Sequence, residues 1–359
     1  MEHRGWLFEA RNNTQHAPLI LWINGVPNQP PIFGTSAGMS PCRIENGTAT
    51  RNVFAWNQNA HVVFFDMYRH VPRIEGISGK YQLLFDFIRT FAEKYPTYVQ
   101  HGLHIFGQSI DASAAAVVGN MVVKHCNHIQ LLSIGLGSPV IDLRIQMQGY
   151  PEMMYKIQND KSLVSRMKRD LEALALTSKH CTDISKYTSC EAQLDLLSSV
   201  AFKRYLHLFP SLLDYTASDH KTIQTSNEYF ANSLNLSHSF DLKPTLPSEA
   251  NVMLTNQIRF ESYTEEITNL LKCNIPILVF SGEHDYIANS HGIYALLEWI
   301  QPLRSPIRIH VHPKNLSPIF VNWGFGNLTH AVITNAGHLV DQPQSVHILI
   351  NHWIHQFYK

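Results

Sequence analysis

Short apolar runs punctuate this chain, and each breaks off around a Gly, Asn or Asp. "APLILWING" (17–25), "AHVVFFDMY" (60–68), "GLHIFGQ" (102–108), "IQLLSIGLGS" (129–138), "IPILVFSGEHD" (275–285) and "LTHAVITNAGH" (328–338) have the length and β-branched content of buried strands. Between them the apolar positions recur at helical spacing, as in "GKYQLLFDFIRTFAEKYP" (79–96), "DASAAAVVGNMVVKHC" (111–126), "HGIYALLEWI" (291–300) and "PQSVHILINHWIHQFY" (343–358). Strand and helix in repetition predict an α/β fold, a mostly parallel sheet flanked by helices on both faces. Over residues 141–250 the alternation gives way to polar, helix-leaning sequence such as "YKIQNDKSLVSRMKRDLEALAL", and strands return only at Ile275. We read 141–250 as a helical cap inserted above the carboxyl edge of the sheet, with 1–140 and 251–359 forming the core.

Composition narrows the function more by exclusion than by assignment. A chain of 359 residues with 45% apolar content has the material for a large core. Lys+Arg and Asp+Glu stand at 28 each, which leaves no basic field for nucleic acid or acidic lipid. No run of about 18 apolar residues is present to span a membrane, and "MEHRGWLFEARNN" has no apolar leader region. The 21 histidines make the protein strongly cationic as pH falls through about 6.5. The cysteines Cys42, Cys126, Cys181, Cys190 and Cys273 form no C-x-x-C pair and no zinc spacing, so neither a metal nor another cofactor is expected. His310 and His312 in "RIHVHP" share a strand face without an evident third ligand. Asn12, Asn46, Asn235, Asn315 and Asn327 head glycosylation sequons, as a secreted glycoprotein would carry them.

One serine stands where a strand runs into a small-residue helix. In "LHIFGQSIDASAAAVV" the strand closes near Gly107 and the helix begins just past Ser109, the context in which a sharp turn exposes a nucleophile. A serine hydroxyl needs a base, and the base needs a group to orient it. Asp285 follows one strong strand and His338 follows the last, in the order Ser, acid, His. All three candidates fall at strand carboxyl ends, where loops converge above a parallel sheet. Each residue alone has a commoner explanation: helix cap, turn residue, satisfied polar group. Together, in order and in context, they mark a candidate triad.

At these residues the chain resembles the serine carboxypeptidases and their acyltransferase relatives, a family of α/β-hydrolases. "WLFEARNNTQHAPLILWING" is similar to the family's opening block, and "FGQSIDA" occupies the place of G-E-S-Y-[AG]-G. "SPCRIENGTATRNVFAWNQNAHVVFFD", "ILVFSGEHDYIAN" and "NAGHLVDQPQSVHILINHWI" resemble three further family segments in the same order. The resemblance implies that Ser109 is the nucleophile, His338 the general base and Asp285 its orienting acid. It implies oxyanion donors at the backbone N–H of Val26 and Ile110, and a substrate-carboxylate subsite at Trp22, Asn24 and Gln108. The implied substrate is the C-terminus of a peptide or protein, and the implied location the secretory pathway, vacuolar or extracellular. In the family a leader and an additional strand precede the segment that begins here at Met1; either the sequence is truncated or an edge strand is lacking, which leaves unpaired backbone groups on "WLFEA".

The chain also departs from that pattern. Where the family reads N-G-G-P-G-x-S-S, this sequence reads "NGVPNQPP". Val26 is β-branched and precedes Pro27, so it is driven to extended dihedrals and resists φ > 0. Loss of one oxyanion donor costs about a hundred- to a thousandfold in turnover. Gly38 and Gln108 replace the two acids that bind the substrate carboxylate in the family. An amide does not titrate, so Gln108 either retains that role without acid dependence or marks a site that no longer selects free C-termini. Asp111 stands where the family has a small residue; it either opposes a developing oxyanion or complements the dipole of the following helix. Two function classes therefore stand: a serine hydrolase acting through an acyl-enzyme, with acyl transfer as a variant, and a silent relative that binds peptides or partners.

Overall fold

The computed structural model describes residues 5–23, 39–45, 48–65, 76–177, 208, 214, 216, 261–301, 307–311, 320–324, 327–340 and 342–356. In chain order its elements begin with β1 (Gly5–Phe8), β2 (Leu19–Ile23), β3 (Cys42–Glu45), β4 (Thr48–Arg51), β5 (His61–Phe65), α1 (Gly76–Lys94) and α2 (Pro96–Val99). Next come β6 (Leu103–Gln108), α3 (Ala112–His125), β7 (Leu131–Gly137), α4 (Leu143–Gln146), α5 (Tyr150–Gln158) and α6 (Lys161–Thr177). After the insertion follow α7 (Thr264–Lys272), β8 (Ile277–Gly282), α8 (Ser290–Ile300), β9 (Ile307–Val311), β10 (Phe320–Gly324), β11 (Leu328–Ile333) and α9 (Pro343–His355).

Nine strands form one sheet in the order β1-β5-β2-β6-β7-β8-β11-β10-β9. The stretch from β5 to β11 is parallel throughout, and β1, β10 and β9 add antiparallel edges. β2, β5, β6 and β8 are buried at every position, as strands covered on both faces must be. Each of the six apolar runs supplies a strand. β10 and the small β3–β4 hairpin have no counterpart among those runs, because polar residues interrupt "FVNWG" and "TATR". β1 lies at the sheet edge with β5 as its one neighbour among the described residues.

Alternation along the strands separates two cores. Leu19, Leu21 and Ile23 of β2 join Ile105, Ile134 and Val279 against α1, α3, α7 and α8. Ile20 and Trp22 join Phe64, Phe106 and Phe280 against α9. In α3, Ala112, Ala114, Ala115 and Ala116 are all fully buried, and their small side chains let this helix lie close to the strand that feeds it. The first part of residues 141–250 is helical, as α4, α5 and α6 show. Between 178 and 260 only residues 208, 214 and 216 are described.

Candidate active site

Ser109 sits where β6 hands over to α3 and holds φ at +56°, a left-handed conformation that a non-glycine residue adopts only under constraint. The constraint is visible on both sides. Its carbonyl accepts the N–H of Ala112 and, at 3.0 Å, that of Val140. Gly107 admits the turn: a Cβ there would stand 2.5 Å from the carbonyl oxygen of Asp111 and 3.0 Å from the Cα of Ala112. The chain therefore doubles back tightly enough to lift one hydroxyl above the end of the sheet.

Asp285 and His338 reach that hydroxyl from neighbouring strand ends. His338 Nε2 lies 2.9 Å from Ser109 Oγ, and its Nδ1 lies 2.8 Å from Asp285 Oδ2. The second carboxylate oxygen of Asp285 accepts the N–H of Ala288 at 3.0 Å, which fixes the plane of the acid. Side chains 229 and 53 residues from His338 thus meet on its two ring nitrogens. Asp285 is fully buried, and Ser109 and His338 are exposed by only 6% and 5%, so the imidazole interacts with its acid in a weakly screened setting.

The loops bearing acid and histidine are stitched together below the side chains. Glu283 N–H donates to the carbonyl of Ile333 at 2.9 Å, and His284 N–H to that of Ala336 at 2.8 Å. Gly282 makes room for this crossing, since a Cβ there would sit 2.1 Å from the carbonyl oxygen of Gly337. Under Asp285, Tyr150 donates its hydroxyl to the carbonyl of Ile287 at 2.8 Å. Burial, with the charge of Asp285 behind it, drives the Tyr150 phenol far above its usual range, so it remains a donor. Asn289 accepts the Gly292 N–H at 2.9 Å and starts α8 directly after the acid loop.

The remaining expected residues divide. Gln108 is buried and spends an amide N–H on the backbone carbonyl of His338, at 3.2 Å, while its Oε1 has no partner among the described residues. The donor that the resemblance assigns to a substrate carboxylate is thus engaged inside the protein. Ser138, which sequence reasoning did not single out, donates to the same carbonyl at 2.8 Å. Its only trace in the sequence is a hydroxyl residue at the end of the "GLGS" strand. Trp22 is fully buried against Trp56, ring centroids 5.2 Å apart, and its indole N–H has no partner among the described residues. Ile110 follows Ser109 in a 3-10 turn. Asn24, Val26 and Gly38 lie outside the described residues, as do Cys181, Cys190 and His312.

Asp111 follows neither expectation in full. It is entirely buried and makes no side-chain cap to α3; its carboxylate is met by the ammonium of Lys80 from α1. A balanced ion pair, rather than a bare charge, therefore lies two residues from Ser109. No group of three or more His, Cys, Asp or Glu side chains suited to a metal occurs among the described residues, and no helix there is long and apolar enough to cross a membrane.

Known proteins share this architecture. A prohormone-processing carboxypeptidase, Kex1(delta)p of Saccharomyces cerevisiae, superposes with a TM-score of 0.76 at 18% identity, over 98% of this chain and 86% of its own. A proline iminopeptidase of Mycobacterium smegmatis superposes with a TM-score of 0.52 at 13% identity, over 99% of this chain and 96% of its own. Both likenesses place the chain in the α/β-hydrolase fold. In sequence it is 23% identical to carboxypeptidase Y homolog A of Podospora anserina, across 97% of this chain and 69% of that protein. Carboxypeptidase Y of Saccharomyces cerevisiae is 24% identical, across 98% and 72%. Since the family model for serine carboxypeptidases matches residues 6–356, nearly end to end, this chain belongs to the serine carboxypeptidase family.

Proposed function

We propose that this protein is a serine-type carboxypeptidase-like hydrolase that releases C-terminal residues from peptides through an acyl-enzyme on Ser109. The observation that carries the reading is the pair of contacts on one imidazole, 2.9 Å to the serine hydroxyl and 2.8 Å to the buried carboxylate, at a turn with φ of +56°. His338 takes the proton of Ser109 as the hydroxyl attacks the scissile carbonyl, then delivers it to the leaving amine; Asp285 holds the tautomer that makes this possible. The Ile110 N–H, next to the nucleophile, takes the oxyanion. Water, acting in the second half, regenerates the serine; an alcohol in its place gives acyl transfer.

Gln108 and Ser138 position the base by holding the carbonyl of His338 from two sides. Trp22 and Asn24 stand at the subsite for the substrate's terminal carboxylate, where the remaining amide N–H of Gln108 adds a non-titrating donor. Peptidase action confined to acid pH would refute that role for Gln108. Residues 141–250 form the cap that shapes the specificity pocket. One relative, of Saccharomyces cerevisiae and 25% identical, is a vacuolar serine-type carboxypeptidase. Its compartment and the exposed sequons at Asn12 and Asn327 support routing through the secretory pathway.

Labelling with a fluorophosphonate probe tests the reading. Ser109 reacts in the folded protein, and S109A abolishes the reaction, with hydrolysis falling about a millionfold. A folded wild type that stays unlabelled would instead favour the second reading, a silent homologue that binds peptides. The substitution of Val26 for a glycine in "NGVPNQPP" is the observation on that side. V26G separates weak from absent catalysis, because restoring the second oxyanion donor raises turnover about a hundredfold if the triad is live. No gain in V26G would mean that the loop is not what limits the reaction.

A further inference from the structure

Two consecutive residues of α1 reach the segment that follows the nucleophile. The ammonium of Lys80 meets the fully buried carboxylate of Asp111. Tyr81 places its hydroxyl 3.4 Å from Ser113 Oγ and donates to Tyr263 at 2.9 Å, and Tyr263 donates in turn to Glu261 at 2.5 Å. Ser113 donates to the carbonyl of Ile110 at 2.8 Å. Burial raises both phenols, Tyr81 to about 12, so this chain of donors is intact across the working pH range. Residues 110–113 are thus gripped by α1, and they carry the N–H that follows Ser109.

A carboxylate at residue 111 would be hard to accommodate without Lys80. It lies two residues from Ser109, it is fully buried, and Asp111's own carbonyl oxygen is packed against Gly107. The geometry points to Lys80 and Asp111 as a positioning pair for the reaction. The pair fixes the turn that aims Ser109 and the Ile110 N–H, and it cancels a negative charge that would otherwise oppose the oxyanion. This inference rests on the hydrolase reading above. It concerns neither the triad nor the carboxylate subsite, and it explains how this chain tolerates a charge where its resemblance calls for a small residue.

The test is the rate of fluorophosphonate labelling, followed from acid to alkaline pH, in wild type, K80R, K80M, D111N and the double variant K80M/D111N. Among the described residues the charges facing this region include Lys80 and Asp111 themselves, Glu261 beside the phenols of Tyr81 and Tyr263, and Asp285 on His338. K80M takes the ammonium away from a buried carboxylate; labelling slows about ten- to a hundredfold, below the loss of a whole oxyanion donor. The acid limb of its pH–rate profile moves to higher pH, because a negative charge near the reacting groups favours their protonated forms. D111N removes the negative charge and moves that limb the other way. The double variant returns the limb to its wild-type position, and K80R keeps both rate and limb.

Opposed limb shifts that cancel in the double variant establish the role, because lost packing has no charge sign. Limbs that stay put, or move together with a falling melting temperature, overturn it in favour of a purely structural pair. Should K80M fail to fold, D111N against K80M/D111N carries the same comparison. If the wild type itself is not labelled, the hydrolase reading fails and takes the positioning role with it. If the wild type is labelled and every variant matches it, only the positioning role is lost.

Discussion

Among the described residues three buried histidines each stand against a serine hydroxyl, one at the carboxyl edge of the sheet and two within it. At the edge, His338 bridges Ser109 and Asp285. In the interior, His104 Nδ1 lies 2.7 Å from Ser133 Oγ, and His330 Nε2 lies 3.1 Å from Ser281 Oγ. By distance alone the interior pairs are as good as the one at the edge. What separates them is the other side of the ring. A buried carboxylate holds Nδ1 of His338, whereas burial alone accounts for the depressed basicity of His104 and His330, both at about 3. Backbone adds a second difference: Ser109 sits in a left-handed turn, and Ser133 and Ser281 lie in regular strands. A Ser–His contact is therefore cheap in a core, and chemistry requires an orienting acid and an exit from the sheet.

The comparison breaks most directly at Asp285. D285N keeps the volume and removes the charge, so kcat is expected to fall about ten-thousandfold with the fold intact, measured by labelling rate and by ester hydrolysis. A loss of less than tenfold would mean that the 2.8 Å contact orients nothing.

A smaller effect, on stability, belongs to the interior histidines. Their folded pKa of about 3 lies below the unfolded value of about 6.5, so the unfolded chain binds more protons between these limits. Stability is thus highest above pH 6.5 and declines as pH falls through the window, by about 2 kcal/mol for each histidine at about pH 5. The buried His61 and the partly buried His347, also lowered chiefly by burial, act in the same direction. Glu266, raised by burial, acts oppositely, in the carboxylate range. Urea melts at neutral and acid pH measure this, and a flat profile between pH 7 and 5 would remove the interior histidines from the argument.

The smallest effect sharpens the contrast. Ser133 also accepts the indole N–H of Trp353, at 2.9 Å, so S133A removes two buried hydrogen bonds and costs about 1–3 kcal/mol. Labelling of Ser109 in S133A stays within about twofold of wild type, because this serine lies on the α9 side of the sheet, away from the triad.

Which parts were legible in advance follows from the same physics. Strands covered on both faces need unbroken apolar runs, so β2, β5, β6, β7, β8 and β11 announce themselves. The loops after β6, β8 and β11 carry Ser109, Asp285 and His338 because polar residues are compulsory where such a run emerges into loops. β10 and the β3–β4 hairpin stayed hidden, since antiparallel pairs at an edge need no continuous apolar run. Ser138 gave no sign beyond its place at a strand end. The family pattern places Gln108 on a substrate, yet its amide N–H turns to the carbonyl of His338.

Local order in the chain settled the α/β architecture, the helical lean that opens the insertion and the identity of three chemically apt side chains, because apolar periodicity and loop placement are properties of neighbouring residues. Tertiary structure alone decided that an imidazole 229 residues from a serine would stand 2.9 Å from it. It also decided that Asp111 would be neutralised by Lys80, 31 residues earlier. Contacts of this range depend on how strands are ordered in the sheet and how closely a helix packs upon it, and neither is encoded at any fixed spacing along the chain.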